Sequence, residues 1–223
     1  MFVDRAAAGR ELARRLKHLR VERPIVLALP RGGVPVGFEI AEALDAPLEI
    51  LLVRKIGAPG QPELALGAVV DGDAAQVLID EGIVRALAVD QTYIESETRR
   101  QLAEIERRRL AYLGCRPAVP IAGRTAVVVD DGIATGSTVR AALRAVANAG
   151  AAKVTLAIPV APQDVVEALR SEVDEIVCLA TPRPFFAVGA HYRQFAQLAD
   201  ADVTALLELR RRSPTPSSDA SGA

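Results

Sequence analysis

Short apolar runs alternate with amphipathic helical patterns along most of this chain. The apolar runs predict buried strands at Ile25–Leu29, Leu48–Val53, Ala126–Val129, Lys153–Val160 and Glu175–Ala180. Helical patterns precede, separate or follow these runs, at Asp4–Arg20, Val34–Leu44, Gln91–Leu113, Val139–Ala149, Gln163–Arg170 and Val203–Leu209. Strand–helix units in series predict an α/β fold in which a parallel sheet carries helices on both faces.

Two stretches interrupt this alternation between the second and third predicted strands. Arg54–Pro62 is rich in Gly and Pro and is predicted to be a flexible loop that can close as a lid. Leu64–Val70 and Gln76–Ile79 flank Asp71-Gly72-Asp73, a pattern that predicts a hairpin. The helix that follows, Gln91–Leu113, is rich in arginine, but its interspersed glutamates predict a solvated, salt-bridged face.

The overall composition indicates a globular protein and argues against several other classes. Half of the 223 residues are hydrophobic, and the formal net charge of −1 favours neither nucleic acid nor an anionic membrane as a partner. No apolar run approaches the roughly 20 residues that span a bilayer, and the charged N-terminus has no apolar signal-peptide core. Cys115 and Cys178 provide no disulfide framework, so we expect a reducing, cytoplasmic location.

The segment that ends the third predicted strand suits a sugar phosphate. Two carboxylates, Asp130 and Asp131, are followed by the loop Gly132-Ile133-Ala134-Thr135-Gly136-Ser137-Thr138, after which a helix begins. The N–H groups of such a loop can bind a phosphate, together with hydroxyl groups and the partial positive charge of the helix N-terminus. Carboxylates accept hydrogen bonds from sugar hydroxyls, so the segment predicts a ribose 5-phosphate site.

Two further loops follow predicted strands and are expected at the same edge of the sheet. Pro30-Arg31-Gly32-Gly33 follows the first strand, where its glycines permit close backbone approach and Arg31 supplies a cation. Arg54 and Lys55 follow the second strand and supply two more cations. Ligands of open parallel sheets bind beyond the carboxyl ends of the strands, so the three loops are expected to share one site.

Residues 126–138 resemble the 5-phosphoribosyl-1-pyrophosphate (PRPP) motif of type I phosphoribosyltransferases, in which four hydrophobic residues precede two acids and a Gly/Thr-rich loop. The resemblance implies that Asp130 and Asp131 bind the ribose and that the loop from Gly132 to Thr138 binds the 5-phosphate. It implies a pyrophosphate site at Pro30, Arg31, Gly32 and Gly33. Arg54 and Lys55 are similar to the pair before the catalytic loop of adenine phosphoribosyltransferases and are the expected catalytic residues.

The resemblance extends over roughly residues 25–198 and implies a single domain, which we predict over 1–209. Its core is expected at about 21–180, with a helical insertion at about 80–120 and a small hood at about 181–200. The Pro-Arg-Gly-Gly turn and the segment Phe-Ala-Val-Gly-Ala-His-Tyr look like those of a bacterial group of predicted phosphoribosyltransferases with an undefined acceptor. The Ser/Pro-rich residues 210–223 are predicted to form a disordered tail.

The sequence leaves the acceptor open. Phe185, Phe186 and Tyr192 belong to the aromatic hood, where a ring can stack on a planar acceptor or fill the space between hood and core. His191 is a candidate for acid–base chemistry, although a single histidine is more often structural. Ala134 stands where hypoxanthine–guanine enzymes carry an acidic residue, as it does in adenine phosphoribosyltransferases, which puts a 6-oxopurine acceptor in doubt.

The resemblance implies a Mg²⁺-dependent phosphoribosyltransferase that moves 5-phosphoribosyl from PRPP to a nitrogenous, nucleobase-like acceptor and releases pyrophosphate. Mg²⁺ is expected to bind mainly through PRPP and water, and no metal site built from protein ligands is predicted. The alternative is a catalytically silent PRPP-binding regulator linked to nucleic acid, against which Arg31, Arg54 and Lys55 favour an enzyme. A phosphoribosyl hydrolase or phosphorylase also stays open, and the exposed helix faces are compatible with a homodimer.

Overall fold

Eight strands and seven α-helices make up the described part of the chain. The computed structural model describes residues 1–71, 75–114 and 119–212, without the side chains of Pro62 and Glu63. The strands are β1 (Ile25–Ala28), β2 (Leu48–Ile50), β3 (Val53–Ala58), β4 (Gln61–Val70), β5 (Gln76–Ile79), β6 (Thr125–Val129), β7 (Lys153–Val160) and β8 (Glu175–Ala180). The helices are α1 (Arg5–Arg15), α2 (Gly33–Leu44), α3 (Glu81–Ala86), α4 (Gln91–Leu113), α5 (Ser137–Asn148), α6 (Gln163–Leu169) and α7 (Asp200–Arg212).

The central sheet is parallel and has five strands in the order β2-β1-β6-β7-β8. Val26 of β1 pairs with Leu48 of β2 on one side and with Val127 of β6 on the other. All residues of β1 and β6 are buried, as expected for strands that are covered on both faces. Because the strands are parallel, the loops that follow β1 and β6 leave the sheet at the same edge. The predicted α/β fold with a parallel sheet is confirmed.

Alternate side chains of β6 pack into two separate hydrophobic cores. Val127 and Val129 belong to the core that also contains residues of α1, α2 and α7. Ala126 and Val128 belong to the core that contains residues of α5 and α6. Successive side chains of a strand point to opposite faces of the sheet, so the helices cover both of its faces.

A second, antiparallel sheet consists of β3, β4 and β5. The pairing of β4 with β5 is the predicted hairpin, and residues 72–74 of its turn lie outside the described ranges. The predicted loop over Arg54–Pro62 is wrong for residues 54–58, which form most of β3 and pair with β4. The glycines do not break this strand, because Gly57 lies at an irregularity of the register and Gly60, with φ +70°, lies in the turn to β4.

Helix α4 has the predicted limits, which its flanking residues explain. Asp90 caps its start by accepting a hydrogen bond from the N–H of Thr92 at 3.0 Å, and Gly114, with φ +63°, follows its last residue. The predicted salt-bridged face is confirmed, since Glu104 pairs with Arg107 and Arg108, which lower its pKa to about 2. Neither α4 nor any other helix in the described ranges is long and apolar enough to cross a membrane.

Helix α7 extends beyond the predicted end of the domain. Its residue Arg210 is only 5% exposed, donates to the carbonyl of Ala46 at 3.1 Å and lies 3.3 Å from carboxylate oxygens of Glu42 and Asp45. The predicted tail therefore begins too early, because residues 210–212 are helical and Arg210 anchors them to the end of α2. Residues 213–223 lie outside the described ranges, as does Cys115.

Candidate active site

Two of the predicted loops meet where β1 and β6 end. The N–H of Leu29 donates to the carbonyl of Val129 at 2.8 Å, so the two strands stay in register up to the loops. A β-carbon on Gly32 would overlap the carboxylate of Asp131, and one on Gly33 would lie 2.6 Å from the Val129 carbonyl oxygen. Glycine at both positions thus brings the first loop into contact with the two carboxylates.

The loop before α5 has backbone donors without an internal acceptor. Gly136, with φ +79°, turns the chain into the helix that begins at Ser137. None of the backbone N–H groups of residues 135–138 donates to an acceptor in the described part of the chain. They point from a helix N-terminus, the usual arrangement of a phosphate site.

The beginning of this loop serves packing instead. The side chain of Ile133 is 3% exposed, and its N–H donates to the carbonyl of Val160 at 2.9 Å. Gly132 is also buried, and a β-carbon there would lie 2.5 Å from Cγ1 of Val188. Among the predicted phosphate-binding residues, Ala134, Thr135 and Ser137 are exposed and Thr138 is half-buried, so these can face a ligand, whereas Gly136 is buried and shapes the turn.

The two carboxylates lie in different environments. Asp130 Oδ1 accepts a hydrogen bond from the N–H of Asp131 at 2.8 Å. Burial raises the pKa of Asp130 well above its ordinary value, and the neighbouring charge of Asp131 raises it further. Asp131 instead pairs with Arg5, whose Nε lies 2.7 Å from Oδ2. The pKa of Asp130 is therefore raised, while Asp131 has a cationic partner.

Arg5 is a site residue that no sequence pattern predicted. Its Nη1 donates to the carbonyl of Ala196 at 2.9 Å, and its guanidinium carbon lies 3.8 Å from the ring centre of Phe195. Arg5 follows the helix cap Asp4 and has no local motif, so no signal in the sequence marked it. Its role depends on the packing of α1 against a loop 126 residues away.

The predicted hood residues have three different surroundings. The hydroxyl of Tyr192 donates to the backbone carbonyl of Asp131 at 2.6 Å, and burial raises its pKa. Phe185 stacks on His191 with 5.2 Å between ring centres, whereas Phe186 is 83% exposed. His191 Nε2 is buried and has no hydrogen-bond partner among the described residues. Tyr192 therefore supports the backbone of the acidic loop rather than presenting its ring to a ligand.

The first cavity at the strand ends joins the two loops to the hood. It has a volume of about 400 Å³ and is lined by Arg5, Arg31, Gly32, Asp131, Phe195, Ala196, Gln197 and Leu198. Arg31 is also 3.7 Å from Asp200 at the start of α7. The cavity thus contains two guanidinium groups, a carboxylate and an open backbone turn.

The predicted catalytic pair lines a different cavity. Arg54 and Lys55 face about 330 Å³ between β3 and α4, a space that shares no lining residue with the first cavity. The Nε of Arg54 donates to Oε1 of Gln101 at 3.0 Å. In this conformation the structure does not bring Arg54 and Lys55 together with Asp131.

Comparisons with known sequences agree with this geometry. The profile described as phosphoribosyl transferase domain matches residues 4–194. Two curated proteins from strains of Mycobacterium tuberculosis, which carry the provisional name of phosphoribosyl transferase, are each 49% identical over 212 residues. The match covers 95% of this chain and 47% of the relatives, so the chain spans about half of their length.

A solved structure is similar over nearly the whole chain. The crystal structure of TT1426 from Thermus thermophilus has a TM-score of 0.82 and 44% sequence identity. The match covers 93% of this chain and 97% of the other. The profile match extends from the cap of α1 through the sheet to the hood, and thus includes both loops that meet at the strand ends. This chain therefore belongs to the phosphoribosyl transferase domain family.

Proposed function

We propose that this chain transfers the 5-phosphoribosyl group of PRPP to a nitrogenous, nucleobase-like acceptor and releases pyrophosphate. The contact between Gly32 and Asp131 is the observation that carries this proposal. It joins a turn with a cation, Arg31, to a pair of carboxylates. PRPP carries a pyrophosphate next to ribose hydroxyls, so its recognition requires anion-binding and hydroxyl-binding groups side by side.

Each part of PRPP has a matching part of the site in this proposal. The open N–H groups of residues 135–138 bind the 5-phosphate at the start of α5. Asp130 and Asp131 accept hydrogen bonds from the ribose hydroxyls. Arg31 and the backbone of Gly32 bind the pyrophosphate, and a side chain at position 32 would displace the neighbouring Asp131 carboxylate.

The proposed reaction is a displacement at the anomeric carbon of the ribose. A nitrogen of the acceptor forms a bond to that carbon, while the bond to the pyrophosphate oxygen breaks and pyrophosphate leaves with the electron pair. The proton of that nitrogen passes to solvent. Positive charge develops on the ribose as this bond breaks, so nearby carboxylates stabilise the transition state. The chain must also hold the acceptor nitrogen and the anomeric carbon in line with the bond that breaks.

The acidic loop fits a magnesium ion that PRPP itself carries. The described residues contain no group of three or more His, Cys, Asp or Glu side chains that could hold a metal. Asp130 and Asp131 are hard oxygen donors of the type that Mg²⁺ prefers, and one oxygen of Asp131 is already paired with Arg5. Bound through the pyrophosphate, the ribose hydroxyls and water, Mg²⁺ would neutralise charge on the leaving group.

An acceptor screen tests this function. The purified chain is incubated with PRPP, Mg²⁺ and a purine, a pyrimidine or a simple amine, and pyrophosphate release is measured. We expect release with one class of acceptor and a loss of at least about a hundredfold in the double variant Asp130→Asn/Asp131→Asn. Equal release by the double variant would contradict the proposed site, and absence of PRPP binding by calorimetry would contradict the function.

The second candidate function is a PRPP-binding regulator without turnover. The position of Arg54 and Lys55 favours it, because their cavity is separate from the one that contains Asp131.

A kinetic test separates the enzyme from this regulator. If the chain is an enzyme and the β3–β4 ribbon moves to bring Lys55 onto the leaving group, Lys55→Ala should lower kcat on the order of a hundredfold and change PRPP affinity little. Arg100→Ala, which alters the same cavity from α4, is the control. Unchanged kcat in Lys55→Ala would remove this pair from the mechanism.

A further inference from the structure

Arg5 is held at the first cavity by three kinds of contact. Its guanidinium group pairs with Asp131, donates to the carbonyl of Ala196 and lies over the ring of Phe195. The side chain is only 12% exposed. Its position is therefore set before any ligand binds, which reduces the entropy that a ligand contact would cost.

The segment before Arg5 is joined to the hood by backbone pairing. The N–H of Phe2 donates to the carbonyl of His191 at 2.8 Å, and the N–H of Arg193 donates to the carbonyl of Phe2 at 2.9 Å. The rings of Phe2 and Tyr192 lie 5.5 Å apart. This pairing keeps the start of α1, and Arg5 with it, at the wall of the cavity.

The guanidinium group retains donors for a further partner. An arginine has five N–H groups, and in the described part of the chain two bonds from Arg5 are formed, through Nε to Asp131 and through Nη1 to Ala196. Nη2 and the second N–H of Nη1 are left. The Arg5 contact with Asp131 is made to Oδ2.

We propose that Arg5 binds the pyrophosphate of PRPP together with Arg31 and stabilises it as it leaves. Both guanidinium groups line the same cavity as Gly32, the turn assigned to pyrophosphate. Two guanidinium groups line this cavity, where Arg5 pairs with Asp131 and Arg31 lies 3.7 Å from Asp200. A guanidinium presents parallel donors that match phosphate oxygens. The inference rests on the proposed function, and it gives Arg5 the role that sequence analysis assigned to Arg54 and Lys55.

Calorimetry with three ligands tests the role of Arg5. Pyrophosphate, ribose 5-phosphate and PRPP are titrated, each with Mg²⁺, into the full chain and into Arg5→Ala and Arg5→Lys. The matched control is Arg10→Ala, which removes an exposed arginine of the same helix that pairs with Glu39. We expect Arg5→Ala to weaken pyrophosphate and PRPP by about ten- to a hundredfold and to leave ribose 5-phosphate unchanged. Arg5→Lys should recover part of this loss, and Arg10→Ala should match the unaltered chain.

Three results would overturn the proposal. Unchanged pyrophosphate affinity in Arg5→Ala would show that Arg5 does not bind it, and tighter ribose 5-phosphate binding would show that Arg5 shields Asp131. An equal loss for all three ligands would show that Arg5 only supports the hood. If Arg5→Ala does not fold, the three ligands are compared in Arg5→Lys instead. The proposal then requires weaker binding of pyrophosphate and PRPP and unchanged binding of ribose 5-phosphate. If the unaltered chain binds PRPP and only the Arg5 prediction fails, the proposed function stands, whereas absence of PRPP binding removes both.

Discussion

Gly32 and Asp131 are so close that a β-carbon on Gly32 would overlap the carboxylate of Asp131. The backbone of Gly32 is right-handed helical, with φ −62° and ψ −36°, so any residue could adopt it. Glycine is needed here for the close approach alone. The contact thus ties the pyrophosphate turn to the ribose carboxylates, and a substitution at position 32 tests both.

Gly32→Ala should therefore weaken PRPP binding while the fold is retained. The added methyl group displaces the Asp131 carboxylate, and the loss of a charged hydrogen bond to ribose lowers affinity by roughly ten- to a hundredfold. Calorimetry measures the affinity. The control is Gly82→Ala in helix α3, where a β-carbon would lie 3.1 Å from the nearest side-chain atom. Unaltered PRPP affinity in Gly32→Ala would mean that the contact does not shape the site.

Asp130→Asn should stabilise the fold at neutral pH and weaken PRPP binding. Folding raises the pKa of Asp130 above its ordinary value of 3.8 through burial and the charge of Asp131. At pH values between 3.8, the pKa of this group in the unfolded chain, and its raised pKa in the folded chain, the folded chain binds more protons than the unfolded chain. The free energy of unfolding therefore falls as pH rises through this range. An asparagine removes that effect and can still accept the hydrogen bond from the N–H of Asp131.

Thermal unfolding at several pH values checks this prediction. The melting temperature of Asp130→Asn should exceed that of the unaltered chain at pH 8, and the difference should shrink as pH falls toward 4. Asp164→Asn, at an exposed position in the first turn of α6, is the control. A difference that does not change with pH would contradict the raised pKa.

Gly136→Val and Arg31→Ala should separate the two phosphate sites. Gly136 has φ +79°, and a β-carbon there would lie 3.0 Å from Cγ1 of Val165, so valine should abolish ribose 5-phosphate binding and cost roughly 1–2 kcal/mol of stability. Arg31→Ala should weaken the binding of pyrophosphate and leave the binding of ribose 5-phosphate unchanged.

Gly33→Val is not suitable for this comparison, because its side chain would strike the Val129 carbonyl between the two sites. Loss of both ligands in both folded variants would mean that the sites are not distinct.

Arg210→Ala should lower the free energy of unfolding by about 2 kcal/mol, which corresponds to a melting temperature roughly 4–8 °C lower. The substitution removes a buried guanidinium group from the carbonyl of Ala46 and leaves Glu42 and Asp45 without this partner. Arg212→Ala is the matched control, since Arg212 lies two residues on, is 80% exposed and should change stability little. Equal melting temperatures for the two variants would show that Arg210 does not anchor α7.

Elements with strong local signals could be predicted from the sequence. Strands β7 and β8 and helix α4 have the limits that their patterns predict. The signals that set these limits are the hydrophobic periodicity, the helix-capping residue and the glycine that follows the helix, and each acts over only a few residues. Strand β3 could not be predicted in this way. It contains Gly57 and is followed by Pro59 and Gly60, a composition typical of a loop, and pairing with β4 is what holds it extended.

The sequence by itself determined that a carboxylate pair and a phosphate loop follow a buried strand, since these residues are adjacent in the chain. Only the tertiary structure decided which cations join them. Arg5 is 126 residues from Asp131, and Arg210 is 164 residues from Ala46, so no local pattern marks either contact. Such contacts form when helices pack on a common sheet. Arg54 and Lys55 belong to the second sheet, which places them at a separate cavity beside α4.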